Sequence, residues 1–82
     1  MATNEEIYLN PRIVVSRTVC HGKPRIAGTR IMVYLILDLL AGGKSFDEII
    51  TNYYPDITTE DIRACLEYAS QVVRDEDIIP VA

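Results

Sequence analysis

The sequence offers little to covalent or metal chemistry. It holds a single histidine, His21, and two cysteines, Cys20 and Cys65. Two thiols without a secretory signal read as reduced residues rather than a disulfide framework, and the expected location is cytoplasmic. Cys20 and His21 are neighbours, yet adjacent residues seldom ligate one ion, and no second His or Cys pair completes a site. No metal and no cofactor are therefore expected. A Ser-His-Asp order and a phosphate-binding loop are also missing, so no catalytic residue is assigned and no enzyme is expected. Long apolar runs are scarce too. The longest, residues 31–37, ends at Asp38 and is far too short to span a bilayer, so no membrane partner is expected. Repeats, linkers and low-complexity stretches are absent, and 82 residues make one domain, 1–82.

Aliphatic and aromatic side chains are plentiful, at 49% of the chain. So small a domain buries only about 60–70% of its unfolded surface, so part of this apolar surface is expected to lie against another chain. Charge is present but divided. Residues 1–44 carry six basic side chains against three acidic, giving +3, and residues 45–82 carry two basic against nine acidic, giving −7. Between Arg12 and Arg30 there are five basic residues and no carboxylate. Such a split bears on partners rather than on fold.

Along the chain, residues 1–10 are expected to be largely frayed. Residues 11–32 form a basic β-element. Within it, residues 12–18 are rich in β-branched side chains and predict a strand, Gly22 and Pro24 mark a turn, and Ala27-Gly28 marks a second. Residues 29–32 are expected to return as a short strand, making a hairpin or a small irregular β-element. Three helices are expected across residues 33–74. Val33, Ile36, Leu37 and Leu40 follow helical spacing, with Leu35 and Leu39 adding apolar surface on other sides. Gly42-Gly43 ends that helix in a left-handed cap. Ser45 and Glu48 form a capping box opening a helix that buries Phe46, Ile49, Ile50 and Tyr53 and stops before Pro55. Thr58 or Thr59 caps the third, whose apolar stripe is Ile62, Leu66, Ala69 and Val73, with Cys65 alongside. Residues 75–82 read as an acidic turn and a short extended tail.

Two pieces of the chain carry a resemblance. One is the run Gly22-Lys23-Pro24-Arg25-Ile26-Ala27-Gly28-Thr29-Arg30-Ile31. The other runs from Leu39-Leu40-Ala41-Gly42 through Phe46-Asp47-Glu48-Ile49-Ile50 and Tyr54-Pro55 to Thr59-Glu60-Asp61-Ile62. In this order and spacing they resemble the domain of unknown function 433 family, over about residues 14–69. The resemblance implies a mainly α fold in which an N-terminal β-hairpin precedes a three-helix, homeodomain-like helix-turn-helix bundle. It also implies an antitoxin of the VapB type, paired with a PIN-like nuclease toxin.

The candidate binding residues sit in the basic element: Arg17, His21, Lys23, Arg25, Thr29 and Arg30. A guanidinium on a hairpin suits the clustered carboxylates of a PIN-like nuclease, which it can engage through two hydrogen bonds at once. DNA is the alternative partner for the same residues, in an operator-binding autoregulator. A reading helix at residues 59–73 is disfavoured, because Glu60, Asp61 and Glu67 against Arg63 repel phosphates. The equally plain reading is that Gly22, Pro24, Gly28 and Thr29 merely hold a hairpin that the arginines solubilise. A homodimer is expected, with Leu35 and Leu39 at its interface, and a structural homodimer without nucleic acid is the remaining alternative.

Overall fold

The computed structural model describes residues 5–76. Residues 1–4 and the expected extended tail at 78–81 lie outside them. Three strands come first: β1 (Glu6–Asn10), β2 (Ile13–Ser16) and β3 (Arg25–Ile26). Three helices follow: α1 (Val33–Ala41), α2 (Phe46–Asn52) and α3 (Thr59–Asp75).

The expected architecture needs correcting at its N-terminal end. In place of a hairpin ahead of a helix-turn-helix bundle, the chain builds a three-stranded antiparallel sheet in the order β1-β2-β3, and α3 packs against it. The missed strand is β1, in a stretch expected to fray. Its order comes from Asn10, whose Oδ1 accepts from the amides of Arg12 and Ile13 at 2.9 and 3.0 Å. That side-chain turn reverses the chain at Pro11 and lays β1 along β2. The Asn10 Nδ2 then donates to the Ala64 carbonyl at 3.0 Å, fastening the turn to the middle of α3. The expected return strand at 29–32 does not form. Only one bridge, Arg25 to Met32, remains, because the Val33 amide donates to the Pro24 carbonyl and α1 starts at once.

Pairing places Glu6 opposite Ser16, Ile7 opposite Val15 and Tyr8 opposite Val14, while Ile13 meets Ile26 and Val14 meets Arg25. Alternation then gives the sheet two faces. Ile7, Ile13, Val15 and Ile26 share the inner face, and Glu6, Tyr8, Val14, Ser16 and Arg25 share the outer one. Ile13 and Ile26 join Val33, Ile36, Ile49, Ile57, Ile62, Ala64 and Cys65 in the core.

Helix ends follow the sequence signals. Ser45 and Glu48 form the capping box of α2, and Thr58, not Thr59, caps α3 with Asp61 as its reciprocal partner. Gly43, at φ +93°, closes α1, with the Lys44 and Gly43 amides donating to the Leu39 and Leu40 carbonyls. This is the six-to-one and five-to-two pattern that a left-handed residue makes possible. The α3 stripe is shifted, however. Its buried residues are Ile62, Ala64 and Cys65, whereas Leu66 and Val73 are exposed. Tyr53 of the α2 end is exposed as well.

Candidate functional site

The basic element divides into two parts with different fates. Arg25 leaves β3 on the outer face and is 4% exposed. Its Nη1 donates to Ser16 Oγ at 3.0 Å, its Nε to the Thr29 carbonyl at 3.0 Å, and its Nη2 meets Glu6 Oε2 at 2.8 Å. A buried guanidinium with three such partners is a structural group, satisfied in charge and in hydrogen bonds. Arg25, expected in the binding set, belongs instead to the fold. Thr29 does too, since its hydroxyl donates to the Ile26 carbonyl at 2.8 Å and accepts from the Ile31 amide at 3.0 Å.

The other four candidates, Arg17, His21, Lys23 and Arg30, are exposed. Arg17, His21 and Lys23 lie on the segment that joins β2 to β3, and Arg30 lies in the turn that follows β3. After β2 the chain bends and makes a single 3-10 turn, Cys20–Gly22, in which Cys20, His21 and Gly22 have φ of 53°, 55° and 76°. Two successive non-glycine residues in the left-handed region cost on the order of 1–2 kcal/mol each, so the surrounding contacts must hold them there. The Gly22 and Lys23 amides donate to the Val19 and Cys20 carbonyls, and Cys20 Sγ reaches the Arg30 carbonyl at 3.6 Å. The Gly22 backbone passes close to the Arg17 carbonyl, where a Cβ would come within 4.0 Å. Loop 17–23 and the turn at Arg30 are thereby joined.

Among the described residues the ion pairs are Arg25–Glu6 and Arg12–Asp61, so Arg17, Lys23 and Arg30 have no carboxylate partner. Lys23 Nζ lies 6.0 Å from the centre of the Tyr34 ring, beside a shallow cleft of about 400 Å³ lined by Lys23, Pro24, Val33, Tyr34, Leu37 and Tyr68. Of the two residues expected at a dimer interface, Leu39 is half-buried against the core and Leu35 is half-buried outside it.

Elsewhere the titratable groups serve the helices. The carboxyl of Glu48 is lowered by the Ser45 amide and hydroxyl, and that of Glu60 by its own amide and the Thr59 hydroxyl. Burial pushes the Cys65 thiol up to about 12, with Asp61 adding to the shift. Such a thiol is inert. Among the described residues no cluster of three His, Cys, Asp or Glu side chains is placed to hold a metal ion, and no helix is long and apolar enough to cross a membrane.

A family model described as "Protein of unknown function (DUF433)" matches residues 13–69, more than half of the chain. The chain belongs to the DUF433 family. No curated protein and no solved structure matches it. The DUF433 match includes the loop, Arg25, Thr29 and Arg30 but leaves out Glu6 and Asn10, two residues that fix the site from outside. The sequence did carry a sign of Asn10: Asn-Pro-Arg between two β-rich runs is turn chemistry. Glu6 gave none, because its partner lies nineteen residues on and is reached only through the sheet.

Proposed function

We propose that this protein is a non-enzymatic binding protein of the antitoxin kind, whose basic loop engages the carboxylates of a PIN-like nuclease. The observation that carries this reading is the set of exposed cations, Arg17, Lys23 and Arg30, without carboxylate partners on a chain of net charge −4. Between Arg17 and Lys23 the backbone is held in the left-handed region at Cys20, His21 and Gly22 and tied to the Arg30 carbonyl, which limits the chain entropy lost when the loop meets a partner. An acidic metal site needs only one or two cations to fill it, and a planar guanidinium matches a carboxylate well.

The second reading, DNA held by the same loop, is weighed by count. DNA-binding proteins with strong salt dependence neutralise about 6–10 phosphates, whereas the loop brings two permanent cations, Arg17 and Lys23, and the neighbouring turn adds Arg30. The acidic start of α3 subtracts from that attraction. The carboxylate partner is therefore favoured.

The test is inhibition of a PIN-like nuclease encoded next to this gene. The wild type is expected to suppress cleavage at near-stoichiometric ratio, and the double variant Lys23→Ala, Arg30→Ala is expected to raise the concentration required at least tenfold. A wild type that leaves cleavage untouched, yet shifts duplex DNA with a steep salt dependence, favours the second reading.

A further inference from the structure

We infer that two copies of this chain pair through the outer edges of their β1 strands, making one continuous six-stranded sheet. The strand order leaves β1 at an edge, and among the described residues nothing pairs with its outer side. An open edge is a row of amide and carbonyl groups that another strand can satisfy. The usual protections are thin: β1 contains neither lysine nor proline, and only a register irregularity between Tyr8 and Asn10 interrupts it.

Its side chains add to the case. Ile7 is 62% exposed, Tyr8 56% and Leu9 40%, a run of three large apolar residues on one short strand. Ile7 sits on the same sheet face as Ile13 and Ile26, so the inner face runs on past the point where the helices cover it. A molecule that covers Ile7 must reach it from beyond the β1 edge.

A second copy meets those requirements without new chemistry. A two-fold axis through Tyr8 sets two β1 strands antiparallel, with Tyr8 facing Tyr8, Ile7 facing Leu9 and Glu6 facing Asn10 of the other copy. No like charges then oppose each other, and the contact is the same patch on both sides, as a closed dimer requires. The same register brings the partner subunit's Asn10 beside Glu6. Since Asn10 is bonded to Ala64, the partner's α3 comes with it, and that helix exposes Leu66, Val72 and Val73 at 40%, 43% and 66%. Edge pairing alone buries little. The exposed apolar residues of α3 must add to it for the contact to approach the roughly 800 Å² per partner found in stable interfaces. The pairing uses none of the exposed cations Arg17, Lys23 and Arg30, so the inference does not rest on the proposed nuclease partner. It also moves the expected contact away from Leu35 and Leu39.

Sedimentation of the full chain across the micromolar range tests it. The wild type is expected to show twice the chain mass, and hydrogen exchange at the amides of residues 6–10 is expected to slow as concentration rises. The double variant Ile7→Lys, Tyr8→Lys is expected to halve the mass while circular dichroism stays that of the wild type, since both side chains are already in solvent. Leu35→Lys is expected to remain dimeric. A monomeric wild type overturns the inference, and so does a dimer that Leu35→Lys breaks and the β1 variant does not. Should the β1 variant unfold, the concentration dependence of wild-type exchange decides: none at residues 6–10 overturns the pairing.

Discussion

Arg25 and Arg30 stand five residues apart in one basic segment, and the fold treats them in opposite ways. Around Arg25, the turn from β3 to α1 closes on itself: the buried guanidinium is satisfied by Ser16, the Thr29 carbonyl and the half-exposed carboxylate of Glu6. Around Arg30 and loop 17–23, the backbone is fixed while the charged side chains stay open. A fold can thus use the same residue type as a structural bolt and leave it as an exposed, unpaired cation within one short segment. What separates them is partner supply. Arg25 lies over a sheet face that provides an acid and a hydroxyl, and Arg30 meets no carboxylate among the described residues.

That contrast can be broken, most sharply with the two thiols. Cys65 is fully buried and Cys20 is half-exposed in the loop. A thiol reagent at neutral pH is expected to modify Cys20 promptly and Cys65 only on unfolding, with rates differing by orders of magnitude. Two equal rates would mean that α3 opens as readily as the loop. The Cys65 shift also predicts a pH effect. Its folded value is raised from 9.0 to about 12, so the stabilisation by the neutral thiol is complete below pH 9 and is lost as pH rises from 9 towards 12. Cys65→Ala is expected to flatten urea-unfolding stability across that window.

The next largest effect belongs to Arg25. Arg25→Ala removes a buried, charge-assisted hub and leaves Ser16 buried without its partner, with an expected loss of about 3 kcal/mol in urea denaturation. A loss below about 1 kcal/mol would put Arg25 back among the surface charges. Thr29→Val keeps the shape and deletes both hydroxyl bonds, for an expected loss of about 1–2 kcal/mol. His21→Gly relieves one left-handed residue at the cost of a looser unfolded chain, with an expected gain of about 0.5 kcal/mol. Arg30→Ala should change stability least, by within about 0.5 kcal/mol, while partner binding weakens. A marked fall in melting temperature for Arg30→Ala would erase the distinction between the two arginines.

How much of this was legible in the sequence depends on the range of the interaction. The Ser45–Glu48 capping box and the Gly42-Gly43 helix end are local grammar and read correctly, and the α3 cap was narrowed to Thr58 or Thr59, of which Thr58 serves. Strand β2 and the turn at Gly22 were local as well. Strand β1 was legible only at its Asn10-Pro11-Arg12 turn, and its place on the helices also rests on Asn10 binding a carbonyl fifty-four residues away. The α3 stripe misread for a related reason. Period alone says which residues share a face, but only tertiary packing says how far along the helix that face is covered. At the site, positive charge and turn chemistry located the element, yet they could not separate Arg25 and Thr29 from Arg30. That separation needs the sheet, and the sheet needs β1.

The position of β1 has a consequence for where this domain begins. The family match starts at Ile13, one residue beyond the Asn10-Pro11-Arg12 turn. A chain trimmed to the matched span would lose the carboxylate facing Arg25, the amide group held by Ala64 and the cap on the first amide of β2, all at once. Among the described residues Arg25 would then have no counterion, and Ser16 and Val14 would lose the strand paired beside them. The segment that homology recognises is therefore shorter than the segment that folds, and a boundary set by resemblance would cut through the sheet.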